Sequence, residues 1–212
     1  MFADRLKFAN EMTELAHQRK KVDVEEANRK CWVFTHNDNP LLVHELFIAD
    51  LTPEDYKGIF VDRYMDYMAF IQANPTFGKF TCKVLEVLPS GEEILQQRMD
   101  VPIPLVTARS MIVCRHTQKT ETGGHMFMVS SKGCEEFEVK YKKNIGKDVL
   151  ATLEVNFWQF EAENGGTRIR HVMCSKPNGK MPDFAVEKMT KAQAKSALTI
   201  AQYVRDKKAG TM

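Results

Sequence analysis

Residues 167–208 read "TRIRHVMCSKPNGKMPDFAVEKMTKAQAKSALTIAQYVRDKK", and their two halves obey different periods. The opening "TRIRHVMCS" alternates apolar with polar side chains and predicts a strand with one buried face. "KPNGKMP" stops it, because two prolines and a glycine cannot continue a ladder. From Asp183 onward the chain is proline-free and rich in Ala, Lys and Gln, which predicts one long helix over 183–208 with Asp183 as its N-cap. Phe184, Ala185, Met189, Ala192, Ile200 and Tyr203 fall along one face of that helix. A strand running directly into a long amphipathic helix implies that the helix folds back to cover a sheet.

Upstream, residues 78–175 keep the period of two. Runs such as "KFTCKVLEVL", "EILQQRM", "TARSMIVCRH", "HMFMVSS", "EEFEVKYKK" and "VLATLEVNFWQFEA" are separated by "PSGE", "ETGG", "NIGKD" and "ENGG". Six or seven meandering antiparallel strands are expected, with the glycine-containing breaks acting as hairpin turns. Further back, Cys31 to Asn37 and Leu41 to Asp50 form a hairpin around "HNDNP". Thr52-Pro53-Glu54-Asp55 starts a helix, with Thr52 as cap, proline at the first helical position and acids in the first turn. That helical pattern, with Gly58 as a break, runs to Asn74-Pro75. Phe2 to Lys20 reads as an amphipathic helix, and the charged stretch from Lys20 to Lys30 as a surface connection.

The expected fold class is therefore α+β: a curved antiparallel sheet wrapped around a long C-terminal helix, with an internal space filled by side chains or by a ligand. At 212 residues one domain spanning 1–212 is expected, divided into an N-terminal helix and connection (1–29), a core (30–206) and a tail (207–212).

Composition narrows the function. A formal net charge of +2 is too weak to argue for nucleic acid as a partner. No apolar run approaches the roughly 20 residues of a membrane span, and "MFADRLKFANEM" lacks the apolar core of a signal peptide. A cytoplasmic location is the expectation. Cys31, Cys82, Cys114, Cys134 and Cys174 are far apart and odd in number, which fits reduced, mostly buried thiols. His17, His36, His44, His116, His125 and His171 form no i, i+4 pair, so neither a metal nor another cofactor is expected. Walker, GxGxxG, HExxH and GxSxG patterns are absent. The lysines Lys140, Lys142, Lys143 and Lys147 read as a solvated edge. Twelve methionines are an unusually large share, suited to an adaptable core or cavity wall.

One segment stands apart, "DVPIPLVTARSMIVCR" at 100–115, where Arg109 is the only charge between Val101 and Cys114. Pro102 and Pro104 keep its first half out of any ladder. Two readings of Arg109 are open: a surface residue paired with Asp100 or a strand glutamate, or an inward-facing guanidinium whose burial demands acceptors. Strand alternation puts Met111 and Val113 on the face of Arg109, with Ile112 and Cys114 on the other.

The element order and three local patterns resemble the START (StAR-related lipid-transfer) domain family, within the Bet v 1-like helix-grip superfamily. The patterns are "DVPIPLVTARSMIVCR", with Arg109 at the family arginine; "NGGTRIRHVMCSKPNGKMPDFAV", with Gly179 and Pro182 matching; and the strand pair before a two-part helix at Cys31 to Asn74. The resemblance covers about residues 30–206. It departs at Ser110, where the family has an acid, at Lys176, where it has an aspartate, and at Lys180, where it has a tryptophan. An acid on the preceding strand often pairs with the family arginine; here that strand carries Gln96 and Gln97, with Glu92 and Glu93 further back.

The resemblance implies a lipid-binding and lipid-transfer protein, not an enzyme, that carries one sterol or phospholipid in a tunnel. Arg109, Met111, Val113, Gln96, His171 and Met189 are the implied lipid-binding residues. Val101, Ile103, Leu105 and Val106 would form a lid closing against Met189 and making transient contact with a membrane surface. Two rivals remain open. One is a helix-grip enzyme acting on a polycyclic hydrophobic substrate, with His171 and Glu138 as acid/base groups. The other is a protein-interaction module whose cavity has collapsed. No pattern in the sequence specifies an oligomeric state.

Overall fold

The structure, a computed structural model, describes residues 2–75 and 78–212. Its first helix, α1 (Phe2–His17), is followed by β1 (Val24–Glu26), which falls within the stretch expected to be a bare connection. Strands β2 (Arg29–His36) and β3 (Asn39–Ile48) form the expected hairpin. Asn37 and Asp38 close it at φ +49° and +61°, the left-handed conformation that short polar side chains tolerate.

Thr52 caps α2 (Pro53–Tyr56) through a reciprocal pair: its hydroxyl accepts from the Asp55 amide while the Asp55 carboxylate accepts from the Thr52 amide. Past Tyr56 the chain widens into a π turn at Lys57–Val61, where Gly58 sits, before resuming as α3 (Tyr64–Ala73). Strands β4 (Lys79–Val87), β5 (Glu93–Asp100), β6 (Arg109–Lys119) and β7 (His125–Ser130) then form a meander.

The expected strand at "EEFEVKYKK" is instead two short helices, α4 (Glu135–Lys140) and α5 (Lys142–Ile145). Glu135, Glu136 and Glu138 occupy the first turn of α4 and Lys140 its last, an order that the helix dipole favours and that outweighs the Phe137/Val139 alternation. "NIGKD" consequently ends a helix, with Gly146 at φ +61°, and is not a hairpin turn.

Strand β8 (Val149–Leu150) runs parallel to the start of β6. The long pair β9 (Thr152–Glu163) and β10 (Gly166–Lys176) turns at Asn164-Gly165, both at positive φ. Across the sheet the order is β1-β2-β3-β10-β9-β7-β6-β5-β4, with β8 beside β6. Pairing of β3 with β10 brings the N-terminal hairpin onto the last strand, so β10 is central and not an edge.

The C-terminal helix comes in two segments, α6 (Asp183–Gln193) and α7 (Ser196–Lys208). Side chains claim the carbonyls at the break: the Ser196 hydroxyl donates to Gln193 O at 2.7 Å and Arg29 to Ala194 O at 3.3 Å. Pro182, not Asp183, holds the N-cap position, and Asp183 lies in the first turn.

Both faces of the sheet are covered. On the inner face Leu95, Val113, Phe127, Trp158, Phe160 and Ile169 pack against Phe60 of the π turn, Tyr64 and Tyr67 of α3, and Ile200, Tyr203 and Val204 of α7. On the outer face Trp32, Val43, Met128, Phe157 and Val172 meet Ala9, Met12 and Ala16 of α1. A smaller outer cluster joins Ile94, Ile112 and Cys114 to Cys134 and Ile145. Among the described residues no helix is long and apolar enough to cross a membrane, and no group of three or more His, Cys, Asp or Glu is placed to hold a metal ion.

Candidate functional site

Between the inner face of the sheet and α3, α6 and α7 lies a cavity of about 190 Å³. Phe60, Tyr64, Tyr67, Phe127 and Trp158 supply aromatic walls, and Met68, Met99, Met111, Met173 and Met189 supply flexible ones. The methionine excess is thus concentrated where unbranched side chains can change the shape of a space. Gln97 also borders the cavity and donates its amide to the Tyr64 hydroxyl at 3.0 Å.

Arg109 opens β6 at the wall of this cavity and is only 2% exposed. Its acceptors are all main-chain carbonyls. Nε donates to Pro177 O at 3.3 Å, one Nη donates to Asn178 O at 3.1 Å and Lys180 O at 3.0 Å, and the other donates to Thr107 O. Gly179, at φ +60° and packed on Val149, lets the 177–180 loop curl round the guanidinium. The surface alternative is therefore overturned, and Asp100 pairs with Arg98 at 2.7 Å instead. Burial pushes the pKa of Arg109 below its usual value, although a guanidinium keeps its proton.

A second polar group sits in the wall at Asn156 and His171. Trp158 Nε1 can only donate, so the Asn156 atom 2.8 Å from it is the amide oxygen. His171 Nε2, 3.0 Å from the same oxygen, then donates as well, which leaves His171 Nδ1 a bare acceptor with no partner. The imidazole stacks on Trp158 at 3.6 Å between ring centres. Burial, with the neighbouring His44 as a smaller cause, holds its pKa well below the normal histidine value. With its oxygen occupied twice, Asn156 keeps an amide NH₂ that has no protein partner among the described residues, on a side chain that borders the cavity.

Of the residues singled out from sequence, Arg109, Met111, His171 and Met189 border the cavity. Val113 shares their face but lies in the packed core beyond it. Gln96 faces the other way and donates to Asn144 O at 2.9 Å, so the inward glutamine is Gln97. Two adjacent glutamines carry no apolar contrast, so residue type alone could not tell which faced in. Asn156 and Trp158 were also missed, though the alternation through "TLEVNFWQF" puts both on one face. Glu138 lies on α4 and does not border the cavity, so it is not brought to His171.

None of Val101, Ile103, Leu105 and Val106 borders the cavity either. Their loop closes in a turn in which Val106 N donates to Ile103 O at 3.2 Å and Leu105 stands fully exposed at φ +66°. Val101 is buried, while Ile103 and Val106 are half-buried.

The sequence matches no protein-family model and no curated protein. Solved structures do match its fold. Human STARD10 superposes with a TM-score of 0.68 at 13% identity over 93% of this chain and 78% of that one. Human StAR-related lipid transfer protein 5 gives 0.68 at 10% identity over 96% of both chains. The STAR-related lipid transfer protein of Xanthomonas axonopodis gives 0.61 at 16% identity, over 87% of this chain and 98% of the fragment solved. The chain has the fold of these START domains, a helix-grip arrangement of sheet and C-terminal helix.

Proposed function

We propose that this chain is a lipid-binding and lipid-transfer protein, carrying one sterol or phospholipid between the sheet and the C-terminal helices without catalysing a reaction. The observation that carries this reading is the cavity walled by aromatic and methionine side chains, placed between sheet and C-terminal helix in a fold shared with proteins named for lipid transfer. Binding would be driven by removing apolar ligand surface from water, worth about 25 cal/mol per Å².

The cavity is smaller than the roughly 300–1,000 Å³ usual for ligand sites. Loading therefore requires the methionine walls to shift, and the 101–106 loop, set apart from the cavity, offers Leu105 as the apolar tip that meets a membrane. Five free cysteines fit a reducing cytoplasm as the place of action. The enzyme alternative has less support: His171 Nε2 donates to Asn156, burial disfavours proton uptake at the bare Nδ1, and Glu138 does not border the cavity. A collapsed interaction module has less support because the interior between sheet and helices is not filled, keeping a cavity of about 190 Å³.

Native mass spectrometry of freshly purified protein, followed by lipid extraction, tests the reading. A bound lipid in stoichiometric amount is expected, together with transfer of that lipid between vesicles. Recovery of no lipid, combined with no binding to a sterol and phospholipid panel, would overturn it.

A further inference from the structure

The charges around the cavity are unbalanced. Arg109 and Lys176 both border it, and among the described residues no aspartate or glutamate does. Lys176 is exposed and precedes Pro177, whose carbonyl holds Arg109, so the two cations belong to one end of the space. Neither has a carboxylate partner among the described residues. Carbonyl dipoles solvate a guanidinium without neutralising it, so Arg109 is a buried positive charge lacking a counter-charge.

Donor arithmetic points the same way. A guanidinium has five N–H groups; Pro177, Asn178, Lys180 and Thr107 take four of them. The fifth, on the Nη bonded to Thr107, has no protein acceptor among the described residues. Nearby acids are already committed on the opposite face of the sheet: Asp148 accepts from Arg98 and from Ser110, each at 2.7 Å, and Asp100 is bound by Arg98. No side chain of the described protein is placed to supply the missing negative charge.

We propose that the cavity selects an anionic amphiphile, an apolar chain or ring system bearing one carboxylate or phosphate, whose acid group docks at the Arg109–Lys176 end. This rests on the carrier reading and narrows it away from neutral sterols. An oxyanion there accepts the spare Arg109 N–H in a charge-assisted bond while the apolar body lies against Phe60, Phe127 and Trp158. A neutral ligand of the same shape would gain the apolar burial and leave the cation uncompensated.

Oleate and oleyl alcohol share a chain and differ in head-group charge. Titrating each into the full-length protein, with the fluorescence of the cavity-lining Trp158 as readout, measures the preference directly. The expected result is oleate tighter by about tenfold or more, as a charged hydrogen bond would give. Lysophosphatidic acid in a parallel titration shows whether carboxylate or phosphate is the better head. Lys176→Gln, at an exposed position, should shrink the preference severalfold without affecting folding. Arg109→Lys, which keeps the charge and loses the fork, should shrink it further; its folding is checked by circular dichroism, and Lys176→Gln stands as the test if it unfolds. Oleyl alcohol binding as tightly as either anion, or a sterol binding while no anion does, overturns the proposal and leaves lipid carriage intact. No binding by any of these, with none by phosphatidylcholine, overturns both.

Discussion

Replacing Arg109 with leucine removes the donor that ties Thr107 to the carbonyls of Pro177, Asn178 and Lys180. The variant is expected to lose about 2 kcal/mol of stability, the scale of one or two charge-assisted hydrogen bonds offset by relief of the buried charge. A urea titration measures it, and an unchanged midpoint would mean that the loop carbonyls turn freely to water. A second residue-scale expectation concerns pH. His44 and His171 face each other across β3 and β10. Burial, aided by the charge of Arg29, pushes the His44 pKa down to about 4, and His171 is held well below normal. In the unfolded chain both titrate near 6.5. Between that value and about 4 the unfolded state therefore binds up to two protons that the folded state refuses, so stability falls as pH falls. The slope approaches about 2.7 kcal/mol per pH unit for the pair. Urea midpoints at pH 7 and pH 5 should separate accordingly, and a His44→Gln variant should show roughly half the slope; equal slopes would exclude His44 as a source.

Leu105 occupies the second central position of the turn after Pro104, where φ is +66° and glycine is the residue that fits. A leucine there costs about 1–2 kcal/mol, and its side chain is fully exposed, so nothing in the fold repays it. Leu105→Gly should leave the urea midpoint unchanged or raised, since relief of strain offsets the entropy of a new glycine. Transfer between vesicles should slow in the same variant; undiminished transfer would remove the loop tip from the mechanism. The elements that could be read from sequence were those with one dominant signal: the Thr52 capping box, the Asn37-Asp38 and Asn164-Gly165 turns, and the β-period runs of β4 to β7. Those that could not were decided by competition. Residues 135–140 carry both a period-two apolar pair and a dipole-ordered charge pattern, and the second prevailed. Part of what holds the break at Ala194 in the C-terminal helix is Arg29, 165 residues away in the chain, which no local window contains.

The sheet of the whole molecule separates two tasks onto two faces, and this is why so much of the fold and so little of the site could be read from residue types. Period-two alternation marks which residues leave a strand on the same side, so the sequence alone groups Arg109, Met111 and Val113. It does not mark which side encloses a cavity, nor where the cavity ends along the strand; Val113 lies beyond it and Gln96 faces away because pairing register and helix placement set those limits. The separation is testable by truncating one methionine on each face. Met12 of α1 is 5% exposed and packed in the outer cluster, so Met12→Ala should cost about 2–3 kcal/mol. Ligand affinity should not change, because the sheet stands between that cluster and the cavity. Met111 already borders open space, so Met111→Ala forfeits fewer contacts and should cost about 1 kcal/mol, while enlarging the cavity by the lost side chain. Its affinity should shift toward bulkier ligands. Urea midpoints and the oleate titration on both variants check the pair. Loss of affinity in Met12→Ala under conditions where the protein is still folded would show that the two faces are coupled through the sheet.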